Sequence, residues 1–201
     1  MPHTVYGLLK SIRSHYIDSP EAGLSSKVER PNACNLCHLD KTLQWTANYL
    51  SAWYGSPSVE LPAQERSIAA SLLQLFRGDA GQRALIAWHM GWKPAQEASQ
   101  IGWFAPFLAQ LLEDEYSAVR YIAGRSLQRL PGYETFQYDY LGSLPSREEA
   151  KTRALDIWRA KPSLSARVGR EILIDSSGTL MRNEILRLMA QCDPRPLYLA
   201  E

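Results

Sequence analysis

The chain is poor in cysteine, with three in 201 residues: Cys34, Cys37 and Cys192. An odd count with two of them three apart excludes a disulfide framework. It lacks an excess of either charge, since 22 Lys and Arg stand against 21 Asp and Glu for a formal +1. That balance excludes a strongly basic nucleic-acid binder. No apolar run approaches the ~18 residues of a membrane span. The opening MPHTVYGLLK has no basic region ahead of an apolar stretch, so no secretory signal is read there. Strand-type alternation is missing too, and strand content is expected to be negligible. What is present is an ordinary globular composition, 45% hydrophobic and 21% charged. Aromatic residues make up 10%, six of them Trp, so large apolar surfaces must be buried. The length suits one large domain or two small ones.

Helical periodicity runs through most of the chain. Val5, Leu8, Leu9, Ile12 and Tyr16 share one face of a predicted first helix, which His15 joins. Asp18-Ser19-Pro20 ends it. The polar segment from Glu21 to Arg30 reads as a loop. In the next helix Leu43, Ala47, Leu50 and Tyr54 form one stripe, and Trp45, Tyr49 and Trp53 form a second. Gly55 and Pro57 close it. Two helical hairpins are predicted next, with helices over Ala63–Phe76, Ala80–Met90, Trp103–Leu112 and Tyr116–Leu130. Arg83 and Arg120 each open the second helix of a pair. Further helices are expected near Ser146–Ala160 and Thr179–Gln191, followed by a Pro-broken tail. The run FAPFLAQLLEDEYSAVRYIAGRSLQRL resembles a HEAT repeat, with Pro106 in its first helix and Val119, Arg120, Ala123 and Leu127 in its second. Such repeats stack helix pairs into a curved scaffold.

Residues 34–38 carry the chemistry: Cys34-Asn35-Leu36-Cys37-His38 is C-x-x-C-H, the attachment sequence for c-type haem. Two thiols three residues apart on one helical turn can each add to a haem vinyl group, and the adjoining imidazole can bind the iron. By average residue usage the pentapeptide arises by chance in roughly one chain in a thousand of this length. Three other readings stand beside it. A zinc site would recruit Cys34, Cys37 and His38, but adjacent Cys37 and His38 suit one tetrahedral ion poorly, and no second ligand pair completes it. A thioredoxin-like pair needs an alternating strand–helix pattern. The cysteines could also be unligated.

The residues here resemble a family. MPHTVYGLLKSIRSHYIDSP followed by RPNACNLCHLDKTLQWTANYLSAWYG is similar to the last haem-binding segment of bacterial multihaem c-type cytochromes that carry HEAT repeats at the C-terminus. RALIAWHMGW, SAVRYIAGRSL and DPRPLYLAE resemble the same family, so the likeness covers essentially the whole chain. It implies an all-α fold in three parts: a haem-binding helical segment over 1–57, HEAT-like solenoid helix pairs over 58–132, and a helical extension capping them over 133–201. It implies one covalent haem c held by Cys34, Cys37 and His38, with His15 as second axial ligand. In the family Met-Pro commonly follows an upstream C-x-x-C-H, and here Met1-Pro2 opens the chain. The expectation is therefore the C-terminal portion of a longer multihaem protein of an extracytoplasmic compartment such as the periplasm. Haem attachment takes place there, and a chain made without a signal would stay haem-free.

The remaining candidates are weighed against blander roles. A lone His on an apolar face usually makes a core hydrogen bond, so His15 is balanced between that and ligation. His89 reads as a packed helix residue, His3 as solvated or serving a neighbouring haem, and Met90 as core filler. Two imidazoles would give a six-coordinate, low-spin iron of lower potential than His/Met ligation. Trp45, Tyr49 and Trp53 are expected to pack in the core against the first helix, the alternative being a haem wall or electron route. Arg30 and Lys41 flank the motif as partners for haem propionates or as solvated charges. Cys192 is expected to be inert. No nucleophile–base set or paired carboxylates stand out, so independent enzyme chemistry is not supported. The function expected is electron transfer to a redox partner or to other haem domains of a parent chain, without nucleic acid or a transmembrane segment. The alternative is a haem-free HEAT-repeat scaffold keeping the motif as a relic.

Overall fold

Helix Ala80–Met90 organises the molecule in this computed structural model, which describes residues 2–7, 9–14, 19–160 and 168–193. Its start is fixed by a capping box. Asp79 Oδ1 accepts from Gln82 N at 2.9 Å, and Gln82 Oε1 accepts from Asp79 N at 2.8 Å. Nearly all of its residues are buried, as expected of a helix surrounded by others. Numbered in chain order, the helices are α1 Ala22–Lys27, α2 Leu43–Tyr54, α3 Ala63–Ser67, α4 Ala70–Arg77, α5 Ala80–Met90, α6 Lys93–Ser99, α7 Ala105–Gln110, α8 Ser117–Leu127, α9 Leu144–Arg159 and α10 Arg182–Met189. Short 3-10 turns at Ile101–Trp103 and Leu111–Glu113 flank α7.

α5 packs on α4 and α8, and α7 packs on α8 and α9. The main core includes Trp103, Phe104, Phe107, Leu72, Leu108 and Leu112, all fully buried. Each such side chain stabilises the fold by about 1.5–3 kcal/mol. Leu36 and Leu39, which flank Cys37 in the motif, belong to this same core, as do Ile185 and Leu188 of α10. Gly91 lets the end of α5 approach α8, because a Cβ there would lie 2.6 Å from Ser126 Oγ. The two helix pairs are tied electrostatically. Arg83 of α5 bonds Asp114 in the turn before α8, and Arg120 of α8 donates to the Asp114 and Glu115 carbonyls at 2.7 and 2.9 Å.

The mostly helical class agrees with the sequence, and several elements differ. The predicted first helix is instead a hairpin, β1 Val5–Gly7 paired antiparallel with β2 Lys10–Ile12, seated on α5. Of that prediction, Leu8 and residues 15–16 lie outside the described residues. The loop expected over Glu21–Arg30 contains α1. The helix expected over Ala63–Phe76 is two, because Ile68 and Ala69 are extended. There Ala69 N donates to Glu171 O at 2.8 Å and Ala70 N to Lys41 O at 3.0 Å. α6 was not anticipated. α2 begins with Thr42 Oγ1 accepting from Trp45 N at 3.0 Å and stops at Gly55, whose φ of 66° favours glycine. No helix among the described residues is long and apolar enough to cross a membrane.

Candidate functional site: a cysteine–histidine turn on an aromatic face

The C-x-x-C-H segment forms one helical turn. His38 N donates to Cys34 O at 2.9 Å and Cys37 N to the same oxygen at 3.2 Å. This brings positions i, i+3 and i+4 to one side of the turn. Cys34, Cys37 and His38 line a single surface cleft of about 200 Å³, with Trp45, Thr46, Tyr49, Leu50 and Trp53 of α2 as its other wall. Leu36 and Leu39 face the opposite way, into the core.

Four polar side chains that the sequence reading missed hold the turn in place. Asn32 Oδ1 accepts from Cys34 N at 3.0 Å, the Asx geometry that opens turns. Asn35 donates to Lys41 O at 3.0 Å and accepts from Thr46 Oγ1 at 2.8 Å, joining the turn to α2. Ser99 of α6 accepts from Leu39 N at 2.8 Å and donates to Cys37 O at 2.9 Å. Ser71 of α4 donates to Leu39 O. Asn32 two residues before a cysteine was a legible turn signal. Pro94 at the first turn of α6 could have announced the helix that delivers Ser99. Nothing local announces Ser71.

The α2 aromatics do not fill the core. Tyr49 is 41% exposed, Trp53 63% and Tyr54 76%. From the motif outward the rings form a continuous series: His38 to Trp45 at 5.0 Å, Trp45 to Tyr49 at 4.6 Å, Tyr49 to Trp53 at 4.9 Å between centroids. The expected packing against a first helix is thus overturned. That helix does not form, and the stripe faces outward along the cleft.

Cys34, Cys37 and Cys192 are all free thiols. Burial pushes the Cys34 and Cys37 thiols above their ordinary pKa, so both are protonated at neutral pH. A C-x-x-C redox pair needs the opposite shift. Among the described residues no three His, Cys, Asp or Glu side chains are placed to share a metal ion. Cys192 accepts from Arg83 Nη1 at 3.4 Å, and burial raises its pKa first of all.

His15 lies outside the described residues. His3 and His89 do not line the cleft. They form a separate cluster with Trp88 and Trp92, and Met90 is buried in the core. Burial pushes His89 down to about 4, so it is neutral at physiological pH. Arg30 and Lys41 are not free charges, for Arg30 bonds Asp79 at 3.1 Å and Lys41 bonds Asp40 at 2.8 Å. A larger polar cavity of about 430 Å³ is lined by Arg30, Asn32, Glu65, Gln74, Arg77 and Cys192 among others, and neither Cys34 nor Cys37 opens into it.

Comparison of the chain with protein-family models, curated proteins and solved structures finds no match.

Proposed function

We propose that this chain is the haem-bearing module of a c-type cytochrome and works in electron transfer, with its stacked helix pairs serving as a HEAT-like scaffold for a redox partner or sister haem domain. One observation carries the reading: two thiols and an imidazole share one cleft, on one helical turn, against a wall of mutually tilted aromatic rings open to solvent. The donor set fits the group. Cys34 and Cys37 would form the two thioether links, and His38 would be the proximal ligand. When bound, the haem supplies a one-electron Fe(III)/Fe(II) couple.

The protein's own part is positional. Leu36 and Leu39 anchor the turn in the core, and Ser71, Ser99 and Asn35 fix its backbone on both sides. At about 200 Å³ the cleft is smaller than the ~300–1,000 Å³ of pockets that enclose a whole ligand, so a flat ring would rest on a face. Trp45 and Tyr49 would shield one side of it from water. His15 is assigned the sixth position. This rests on the family resemblance and on His3 and His89 being gathered elsewhere.

The test is co-expression with a haem-attachment system behind an added export signal. One haem per chain that survives acid–acetone extraction, and that is lost in Cys34→Ser/Cys37→Ser, is expected. Folded, colourless protein of unaltered mass overturns the reading and leaves a haem-free helical scaffold. Immediate carbon monoxide binding without ligand displacement overturns the assignment of a sixth ligand alone.

A further inference from the structure

The His3–His89 cluster is chemically separate from the cleft. His89, in the last turn of α5, is fully buried, and its Nδ1 lies 2.8 Å from the Leu85 carbonyl. A carbonyl can only accept, so Nδ1 carries the proton and Nε2 is a bare lone pair. Among the described residues that Nε2 has no hydrogen-bond partner, and neither does the buried Nδ1 of His3. The two imidazoles are neighbours, with centroids 6.5 Å apart. Two imidazoles bound end-on to one ion through bonds of about 2.0 Å would hold their centroids roughly 6 Å apart. Two indoles enclose them. Trp88 lies 4.4 Å from His3 and 5.1 Å from His89, and Trp92 lies 5.4 and 5.5 Å away.

We propose that His3 and His89 form a two-imidazole site for a soft, low-coordinate transition-metal ion, monovalent copper. The coordination number selects the ion. No third His, Cys, Asp or Glu among the described residues joins the pair, whereas zinc in protein sites takes four ligands and calcium or magnesium six or more oxygens. Cu(I) is satisfied by two nitrogens. Its single charge costs least to desolvate, and indole faces attract a cation. The Nδ1–H bond from His89 to Leu85 O is the outer contact that a metal-binding imidazole characteristically makes, orienting the ring and fixing its tautomer. The site does not depend on the haem reading.

The test uses the full chain with Cys34, Cys37 and Cys192 all replaced by serine, because thiols would compete for a soft metal. Cu(I) is titrated anaerobically against a chromophoric Cu(I) chelator, with Zn²⁺ as control. One equivalent of Cu(I) is expected, with quenched tryptophan fluorescence and a shifted His89 Nε2 resonance in imidazole nitrogen spectra. His3→Ala should weaken binding at least tenfold. It sits on a half-buried residue ahead of the hairpin, so it keeps the test valid if His89→Gln fails to fold. An unmoved His89 resonance, affinity unchanged in His3→Ala, or equal binding of Zn²⁺ overturns the proposal. A water molecule bridging the two nitrogens would give the first of these results.

Discussion

Arg83 grips Asp114 with two hydrogen bonds, Nε to Oδ2 at 2.7 Å and Nη2 to Oδ1 at 3.1 Å, and both side chains are almost wholly buried. Burial alone would lower the guanidinium pKa. The Asp114 hydrogen bonds and charge outweigh it and hold Arg83 above its ordinary value. Because Arg83 belongs to one helix pair and Asp114 to the turn of the next, the pair fixes how the two stack.

Removing Asp114 leaves the buried Arg83 facing only the exposed Glu115 carboxylate at 3.7 Å, and breaking a buried pair costs about 3–5 kcal/mol. Asp114→Asn should therefore lower stability by about that amount in urea unfolding. The double change Arg83→Met/Asp114→Leu should recover part of it, since apolar replacement of both partners is often neutral while Gly78 O and Tyr116 N lose their side-chain partners. A loss below about 1 kcal/mol in the single variant contradicts this account of the stacking.

Ser99→Ala strips Cys37 O and Leu39 N of their side-chain partner at once. Leaving buried backbone groups unsatisfied costs about 1–3 kcal/mol. Hydrogen exchange at the Leu39 amide should accelerate more than at amides in the centre of α8. Unchanged exchange there shows that the turn holds itself without α6.

His89 sets an acid limit on stability in the metal-free protein. Its folded pKa of about 4 lies below the ordinary 6.5, so between those values the unfolded chain binds the extra proton. Stability is retained above pH 6.5 and lost as pH falls toward 4, by roughly 3 kcal/mol in all from this group. Urea unfolding at pH 7 and pH 5 should show roughly 2 kcal/mol of that loss. In a folded His89→Gln variant the difference should shrink accordingly.

Two tryptophans should respond oppositely to truncation. Trp103→Ala removes a fully buried ring and should cost about 3–5 kcal/mol. Trp53 is 63% exposed, so Trp53→Ala should fall within about 0.5 kcal/mol of the parent. If Trp53→Ala proves as damaging as Trp103→Ala, the aromatic face is not free in solution.

The parts legible in the sequence were those governed by local chemistry. The apolar run Ala80–Met90 places α5, Gly55 closes α2, and the three-residue cysteine spacing alone puts both thiols on one turn. What failed was governed by distant contacts. Val5, Leu8, Leu9 and Ile12 keep helical spacing, yet packing on α5 selects a hairpin closed by Gly7 and Lys10, with Leu9 at a φ of 55° where Asn or Gly is usual. Ile68 and Ala69 leave the helix because Ala69 N and the following Ala70 N bond to the Glu171 and Lys41 carbonyls, far along the chain in either direction. The serines that fasten the motif are likewise 32 and 62 residues from the carbonyls they hold, beyond the reach of any pattern read along the chain.

That fastening bears on transplantation. With Leu36 and Leu39 sunk in the main core, and the backbone on either side of His38 tethered by two serines, the pentapeptide's own two turn bonds are only part of what aims its side chains. Grafted alone onto a foreign scaffold, it would carry reactive groups without their aim. A useful graft must bring α2, α4 and α6 along as its mounting, or rebuild three hydroxyls and two leucine sockets in their stead.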